Sequence, residues 1–204
     1  ESSHVQRFYK PGRKFDYSNT GYIVLASIVE KVSGTSFSSF VKTNIFDPLQ
    51  MNNSFVYSFE NDSIKENQLD GYRLYKGWRH LKINSTVNDA IVGDKNVYTT
   101  IEDLFKWTVC LNAGKLLTKE SLNLMYSKGE TIYGRKIPYG FGFRIDTNGQ
   151  KSIYHHGKWN GFSTGLTKYV DDDLVVIVLE HTSYKGMKAL NKTIKNIVAE
   201  NFGV

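Results

Sequence analysis

The chain has 204 residues, 40% hydrophobic and 14% aromatic, with 26 Lys and Arg against 20 Asp and Glu and a formal charge of +6. That size and apolar content fit one packed domain, or a large piece of one, and exclude a disordered polymer. The longest apolar runs, 22–29 and 174–179, fall far short of the roughly 20 residues of a membrane span; the basic residues are scattered without a nucleic-acid motif, and a lone cysteine, Cys110, excludes an intrachain disulfide.

In "FDYSNTGY", residues 15–22, Tyr17 and Asn19 stand two apart, just ahead of a Gly and a long apolar run. One reading makes Asn19 or Thr20 a helix N-cap with Tyr17 packed nearby. The other makes Tyr17 and Asn19 two polar groups at an exposed helix entrance, within reach of a substrate. Residues 20–32 read as a helix that is apolar nearly all round and stops at Gly34, a pattern that predicts a helix deep in the protein. A second helix is expected in 36–46, with Phe37, Phe40, Val41 and Ile45 on one face and Pro48 just beyond. Residues 52–98 are polar, Asn-rich and weakly periodic, and read as loops with short elements that shape a site.

Thr99 and Glu102 have capping-box spacing for a third helix, with Leu104, Phe105, Thr108 and Leu111 as its inner stripe and Gly114 as its end. Cys110 falls in this helix and reads as a partly buried, inert thiol. Thr118 caps a short fourth helix. After Gly129 the period changes, and 139–145, 152–156, 162–170 and 174–181 read as strands, with the acidic residues 171–173 as a hairpin turn rather than a calcium loop. A closing helix over 185–202 carries Met187, Leu190, Ile194, Ile197 and Val198 on the side that faces the sheet. The fold class is α+β: a helical region, then antiparallel strands, then a C-terminal helix. So few strands make an underbuilt sheet, which predicts that further strands belong to it.

The stretch "YHHGKWNGFSTG", residues 154–165, carries the densest chemistry. Neighbouring side chains on a strand point to opposite faces, so His155 and His156 cannot readily share a metal. No third ligand lies at a familiar zinc spacing, and no metal or cofactor is expected. Gly157, Gly161 and Gly165 mark places where a side chain is unwelcome.

"YSN" before an apolar helix, "GDKNVYTTIEDLFKW", "YGFGF" and "HHGKWNGFSTG" occur in the order seen in serine β-lactamases and penicillin-binding proteins. Over nearly all its length the chain resembles the branch holding class C β-lactamases, D-Ala-D-Ala carboxypeptidases, D-aminopeptidases and related esterases. That family uses S-x-x-K, Y-x-N and K-T-G, the last often H-x-G in this branch. The resemblance implies that Tyr17 moves a proton during attack and leaving-group departure, that Asn19 holds a substrate amide, and that His155 donates near a substrate carboxylate or Tyr17. It also places His156 and Gly157 against substrate and gives the Lys158 backbone N–H to an oxyanion hole. His156 replaces the usual Thr or Ser, which puts recognition of a substrate carboxylate in question.

Only 16 residues precede Tyr17, and no S-x-x-K occurs among them. The one match, Ser39 with Lys42, is expected on the wet face of the second helix and reads as a decoy, because a nucleophile needs a base held against it in a shielded site. The chain is therefore expected to be the C-terminal part of a single β-lactamase-like domain over residues 1–204, inactive alone, whose N-terminal part supplies the nucleophile. The leading function is a serine hydrolase acting through an acyl-enzyme on an amide or ester: a β-lactam, a D-amino-acid peptide or an ester. A non-hydrolytic penicillin-binding sensor and an inactive fragment are the alternatives. The resemblance implies an extracytoplasmic location. An unfinished sheet edge predicts self-association of the fragment.

Overall fold

The computed structural model describes residues 9–58 and 68–202. Expectations for the stretch ahead of Tyr17 and for the 52–98 region that fall on 1–8 and 59–67 lie outside these residues. Helix α1 spans Asn19–Ser33. Its N-cap is Ser18, one residue before the expected cap. The Ser18 backbone is extended and its hydroxyl accepts from the Gly21 N–H at 3.2 Å. Gly34 ends the helix in the left-handed conformation, which glycine adopts without steric cost.

The short helix α2, Phe37–Val41, runs into a wider turn of π type over Lys42–Phe46. Val41, Phe46, Leu49, Met51 and Val56 form the buried centre of this half, with Phe37, Phe40, Ile45 and Trp107 packed against it. Strand β1, Phe55–Val56, pairs with β4, Val97–Tyr98, and the hairpin β2–β3 covers Tyr72–Tyr75 and Arg79–Lys82. Among the described residues, short elements joined by loops thus make up the region expected to be irregular.

Helix α3 spans Ile101–Asn112, and its cap is Thr100, whose side chain accepts from the Asp103 N–H. The cap therefore sits one residue later than the Thr99 and Glu102 spacing predicted, and the Asp103 side chain turns to other partners instead of closing a box. Thr108 and Leu111 face inward as expected, but Phe105 is 52% exposed, and the buried Asp103 takes an inner position instead. That carboxylate is saturated: it accepts from the Asn53 N–H at 2.8 Å, from Ser54 at 3.0 Å and from Lys106 at 2.9 Å. A buried charge is tolerable only with such partners. Thr118 caps α4, Lys119–Met125, as predicted.

After α4 come the short pair β5, Gly129–Glu130, and β6, Lys136–Ile137. The expected strand over 139–145 shrinks to β7, Arg144–Asp146. Gly142 turns the chain at a φ of 82°, and the peptide before it folds back so that Gly140 donates to the Phe143 carbonyl. Strands β8, Ser152–Trp159, β9, Phe162–Tyr169, and β10, Leu174–Glu180, complete a four-stranded antiparallel sheet in the order β10-β9-β8-β7. Helix α5, Met187–Phe202, packs on β9 and β10 through Met187 and Asn191, while Ile197, expected on that face, is 53% exposed.

Two departures concern cover. Helix α1 is not deep: only Ala26 is buried, and Val24, Leu25, Ile28 and Val32 are 52%, 54%, 51% and 82% exposed. Its apolarity is real, but no described residue lies over that face. Strand β10 is likewise terminal in its sheet among the described residues, beside an apolar groove lined by Ile101, Phe105, Ile194 and Val198.

The hairpin between β8 and β9 is locked to β2 by two glycines set back to back. A Cβ on Gly71 would lie 1.9 Å from the Asn160 carbonyl oxygen, and one on Gly161 would lie 2.3 Å from the Tyr72 nitrogen. Gly157 and Gly165 also lack room, against Thr164 and against Asn191 and Met187. The sequence expectation for these three strand glycines holds.

Candidate active site

The β8 strand and the entrance to α1 face each other across a cavity of about 1290 Å³. Tyr17, Asn19, His155, His156, Gly157 and Lys158 all line it. The local reason is plain at each wall. With Ser18 as the cap, Tyr17 lies just outside the helix and Asn19 is its first residue, so the two side chains leave the same turn. On the other wall, β7 pairs with β8 only through Ser152, Ile153 and Tyr154. Beyond Tyr154 that edge of β8 is uncovered by β7, which leaves main-chain groups free to meet a ligand.

Tyr17 stacks on His155, with ring centroids 6.1 Å apart at 29°. The phenol of Tyr139 lies 3.3 Å from His155 Nε2 and 3.4 Å from the Tyr22 hydroxyl. The Arg144 guanidinium sits 5.4 Å from the Tyr17 ring centroid and 5.9 Å from that of Tyr139. Burial pushes the His155 pKa down, the Arg144 charge pushes the same way, and a hydrogen bond to the His156 backbone only partly opposes them. His155 is therefore a neutral imidazole at neutral pH. Burial likewise raises the Tyr139 phenol far above its ordinary value, with the hydrogen bond to Tyr22 adding to it.

The two histidines face different surroundings, as strand alternation predicted. His156 stacks on Tyr154 at 5.0 Å, and its Nε2 is enclosed without a hydrogen-bond partner among the described residues. Burial lowers its pKa first, then the charges of His155, Arg144 and Lys188. Gly157 and Lys158 continue the strand opposite Thr164 and Ser163.

Several cavity residues escaped sequence reasoning. Asp94 and Lys95 form an ion pair, with Lys95 Nζ 2.8 and 3.0 Å from the two carboxylate oxygens and side chains only 4% and 10% exposed. Lys95 also lies 4.6 Å over the Trp159 ring. Asp89 accepts from the Trp159 indole N–H, from Asn160 Nδ2 at 2.7 Å and from the backbone and side chain of Thr86. Burial raises the Asp89 pKa, yet these donors outweigh it and the net shift is downward. The Thr86–Asp89 spacing is a legible capping box; its second use, as an anchor for a hairpin 70 residues away, has no local signature.

Gly93 seats this loop on α1. Its φ is 114°, and an added Cβ would lie 2.7 Å from the Tyr22 carbonyl oxygen and 2.9 Å from the Ala26 methyl. Ser39 and Lys42 border the cavity too, but they do not form a nucleophile–base pair. Lys42 holds both oxygens of Asp47 at 2.6 and 2.8 Å, and the Ser39 hydroxyl accepts from Ser36. Among the described residues no group of three or more His, Cys, Asp or Glu could hold a metal ion, and no helix is long and apolar enough to cross a membrane.

Comparison with known proteins places this geometry in context. A family profile described as Beta-lactamase matches residues 2–199. Penicillin-binding protein 4* of Bacillus subtilis is 32% identical over 209 residues, covering 94% of this chain and 45% of that protein. The teichoic acid D-alanine hydrolase of Staphylococcus aureus is 29% identical over 173 residues, covering 83% of this chain and 40% of that protein. The crystal structure of a penicillin-binding protein from Bacillus halodurans superposes with a TM-score of 0.79 at 23% identity, covering 95% of this chain and 60% of that one. At that identity the likeness shows the fold alone. The chain spans less than half the length of the two curated relatives.

Proposed function

The chain belongs to the β-lactamase family, and from that premise we propose that it forms the substrate-holding part of a serine hydrolase whose nucleophile lies outside these 204 residues. The observation that carries this is the convergence of Tyr17, Asn19 and the 155–158 stretch on one cavity from elements more than 130 residues apart. The reaction is acyl transfer. A serine attacks the carbonyl of an amide or ester, an acyl-enzyme forms, and water releases it.

In this reading Tyr17 takes the serine proton and returns it to the leaving group. Asn19 holds the substrate's amide. The Lys158 backbone N–H, on the open edge of β8, stabilises the oxyanion. His155 acts as a neutral group beside Tyr17; its lowered pKa supports this over an imidazolium that attracts an anion. His156 and Gly157 complete the substrate wall. The substrate is a β-lactam, a D-amino-acid peptide or an ester, and the relative named for teichoic acid D-alanine hydrolysis favours a D-alanyl group. The names of the penicillin-binding relatives favour an extracytoplasmic location.

The test uses the complete protein that carries this chain. It is incubated with a fluorescent penicillin and with nitrophenyl esters, beside Tyr17→Phe. Covalent labelling with turnover, reduced about 10²–10⁴-fold by the substitution, is expected for a general-base role. Labelling without turnover would make the protein a penicillin-binding sensor. No labelling and no turnover would remove the hydrolase reading.

A further inference from the structure

We infer that Trp159 selects the acyl group of the substrate, its indole ring serving as a fixed platform for an apolar arm on the acyl side of the scissile bond. This role rests on those proposed for Tyr17 and the Lys158 N–H, and adds to them the last residue of the same strand.

Strand alternation sets where the ring stands. His155, Gly157 and Trp159 share one face of β8, and their β9 partners Leu166, Thr164 and Phe162 line the cavity with them. Gly157 puts no side chain between the other two, and a Cβ there would lie 2.5 Å from the Thr164 hydroxyl oxygen. Trp159 stands four residues beyond His155, about 13 Å along the strand. The Lys158 N–H falls within that interval, next to Trp159 in the chain. Tyr17, read as returning the proton to the leaving group, stacks on His155. A substrate carbonyl held at Lys158 therefore sends its leaving group toward residue 155 and its acyl group toward residue 159.

The way the ring is held separates it from an ordinary surface tryptophan. Its indole N–H donates to Asp89, which also accepts from Asn160 Nδ2 at 2.7 Å and from the backbone and side chain of Thr86. Four donors saturate that carboxylate, so it anchors the ring and has nothing to offer a ligand. The Lys95 ammonium lies over the ring, 4.6 Å from its centroid. Lys95 is held in turn by both oxygens of Asp94 at 2.8 and 3.0 Å, with side chains only 10% and 4% exposed. Taking two charges out of water is costly unless their placement is good; here they grip an aromatic face. The back-to-back contact of Gly71 and Gly161 fixes the hairpin that carries the ring. Trp159 is nonetheless 38% exposed. Its donor and one face are committed, so the part left open is apolar and already immobilised. A surface fixed in advance binds without paying to be ordered.

These contacts define the chemistry that fits. The open surface has no free donor, and a cation already occupies the other face. It suits an uncharged aromatic or branched aliphatic group that packs against the indole. In a D-alanyl substrate, whose own side chain is a methyl, such an arm is whatever is joined to the alanyl nitrogen.

The test uses the complete protein that carries this chain and two nitrophenyl esters with one leaving group, the phenylacetate and the acetate. Wild type is expected to prefer the phenylacetate in kcat/KM by on the order of 10–200-fold, the range for a small apolar difference in a pocket. Trp159→Ala should lower the phenylacetate far more than the acetate and bring their ratio close to unity. Trp159→Phe keeps an aromatic face and should keep most of the preference. Asp94→Asn combined with Lys95→Met releases the gripped face and should weaken the preference by less than Trp159→Ala does. A second measurement needs no turnover: the indole 1H–15N signal of Trp159, identified by its loss in Trp159→Phe, should move on titration with phenylacetamide and stay still with acetamide. No preference in wild type, an equal loss on both esters in Trp159→Ala, or a Trp159 signal indifferent to phenylacetamide would overturn the inference. No labelling by penicillin and no turnover of either ester, with a Trp159 signal that still moves, would remove the hydrolase reading and leave the apolar platform standing, so the two fail separately.

Discussion

Two adjacent regions of this molecule handle apolar surface in opposite ways. The segment from α2 to β1 is not notably hydrophobic, yet it buries Val41, Phe46, Leu49, Met51 and Val56 in one cluster. Helix α1 is the most continuously apolar helix in the chain, yet it buries only Ala26 and leaves Val24, Leu25, Ile28 and Val32 half exposed or more. Apolarity says that a surface needs cover; it does not say which polypeptide supplies it. Among the described residues these side chains leave one apolar face of the helix open. Strand β10 is likewise a terminal strand of its sheet among the described residues, and the curated relatives are more than twice as long as this chain.

The largest effect that could break the contrast is catalytic. If α1 waits for a part of the domain that brings the nucleophile, the 204-residue chain alone should not be acylated by a fluorescent penicillin or hydrolyse nitrophenyl esters. Loss of the nucleophile in a serine hydrolase costs on the order of 10⁶ in turnover. Stoichiometric labelling at any serine of the isolated chain, Ser39 included, would show that the site is already whole.

Stability sharpens the same comparison. Phe46→Ala should cost about 3–5 kcal/mol in urea unfolding, as a large side chain leaves a packed cluster. Leu25→Ala in this chain should stay within about 0.5 kcal/mol, as surface changes do. In the complete protein the Leu25 cost should rise toward the core value. Light scattering gives the companion result: the isolated chain should associate with increasing concentration, and Ile28→Lys should reduce that. A strictly monomeric chain indifferent to Ile28 would mean that the exposed face has no partner to find.

A smaller effect probes how the site region holds itself together through its own hydrogen bonds. Asp89→Ala strips an acceptor from Trp159 and Asn160, and unsatisfied donors of this sort cost about 1–3 kcal/mol. Unfolding of the variant by urea measures it. A cost near zero would mean that solvent already serves those donors.

The smallest effect is a slope. His155 and His156 both have lowered folded-state pKa values, below the unfolded value near about 6.5. Between the two values the unfolded chain binds more protons, so stability rises with pH across that window. It should be constant above about 6.5, fall as acid is added, and level off below the folded values. Replacing either histidine with Gln should flatten that decline in urea titrations between pH 4 and 7; an unchanged slope would show that neither ring is held neutral by the fold.

Much of this was legible in the chain because it depended on near neighbours. Gly34 and Thr118 end and start helices by local conformation, and strand alternation separated His155 from His156. Tyr17, Asn19 and the 155–158 stretch were legible through motif order, and all border one cavity. What escaped depends on meetings across the fold. Phe105 and Ile197 fit an inward stripe, but the surfaces that would cover them are absent from the described residues. Tyr139 sits in the quoted "YGFGF", yet nothing in that string says its hydroxyl meets His155 and Tyr22. Asp94 and Lys95 lie in the quoted "GDKNVYTTIEDLFKW", yet nothing in that string says that they pair in a loop seated on α1 by Gly93.

The back-to-back glycines at 71 and 161 carry a consequence for how this sequence can change over time. Each excludes a side chain because of the other's backbone: the Gly71 position is blocked by the Asn160 carbonyl, and the Gly161 position by Gly71 and the Tyr72 nitrogen. A mutation at either would have to move main chain, and main chain cannot adapt as a side-chain rotamer does. No single compensating substitution at the partner exists, since glycine is already the smallest residue. The two positions are thus a mutational dead end held jointly. Variation in the hairpin that bears Trp159 and Asn160 is then confined to residues pointing away from this contact, and a lineage that lost either glycine would have to rebuild both hairpins at once.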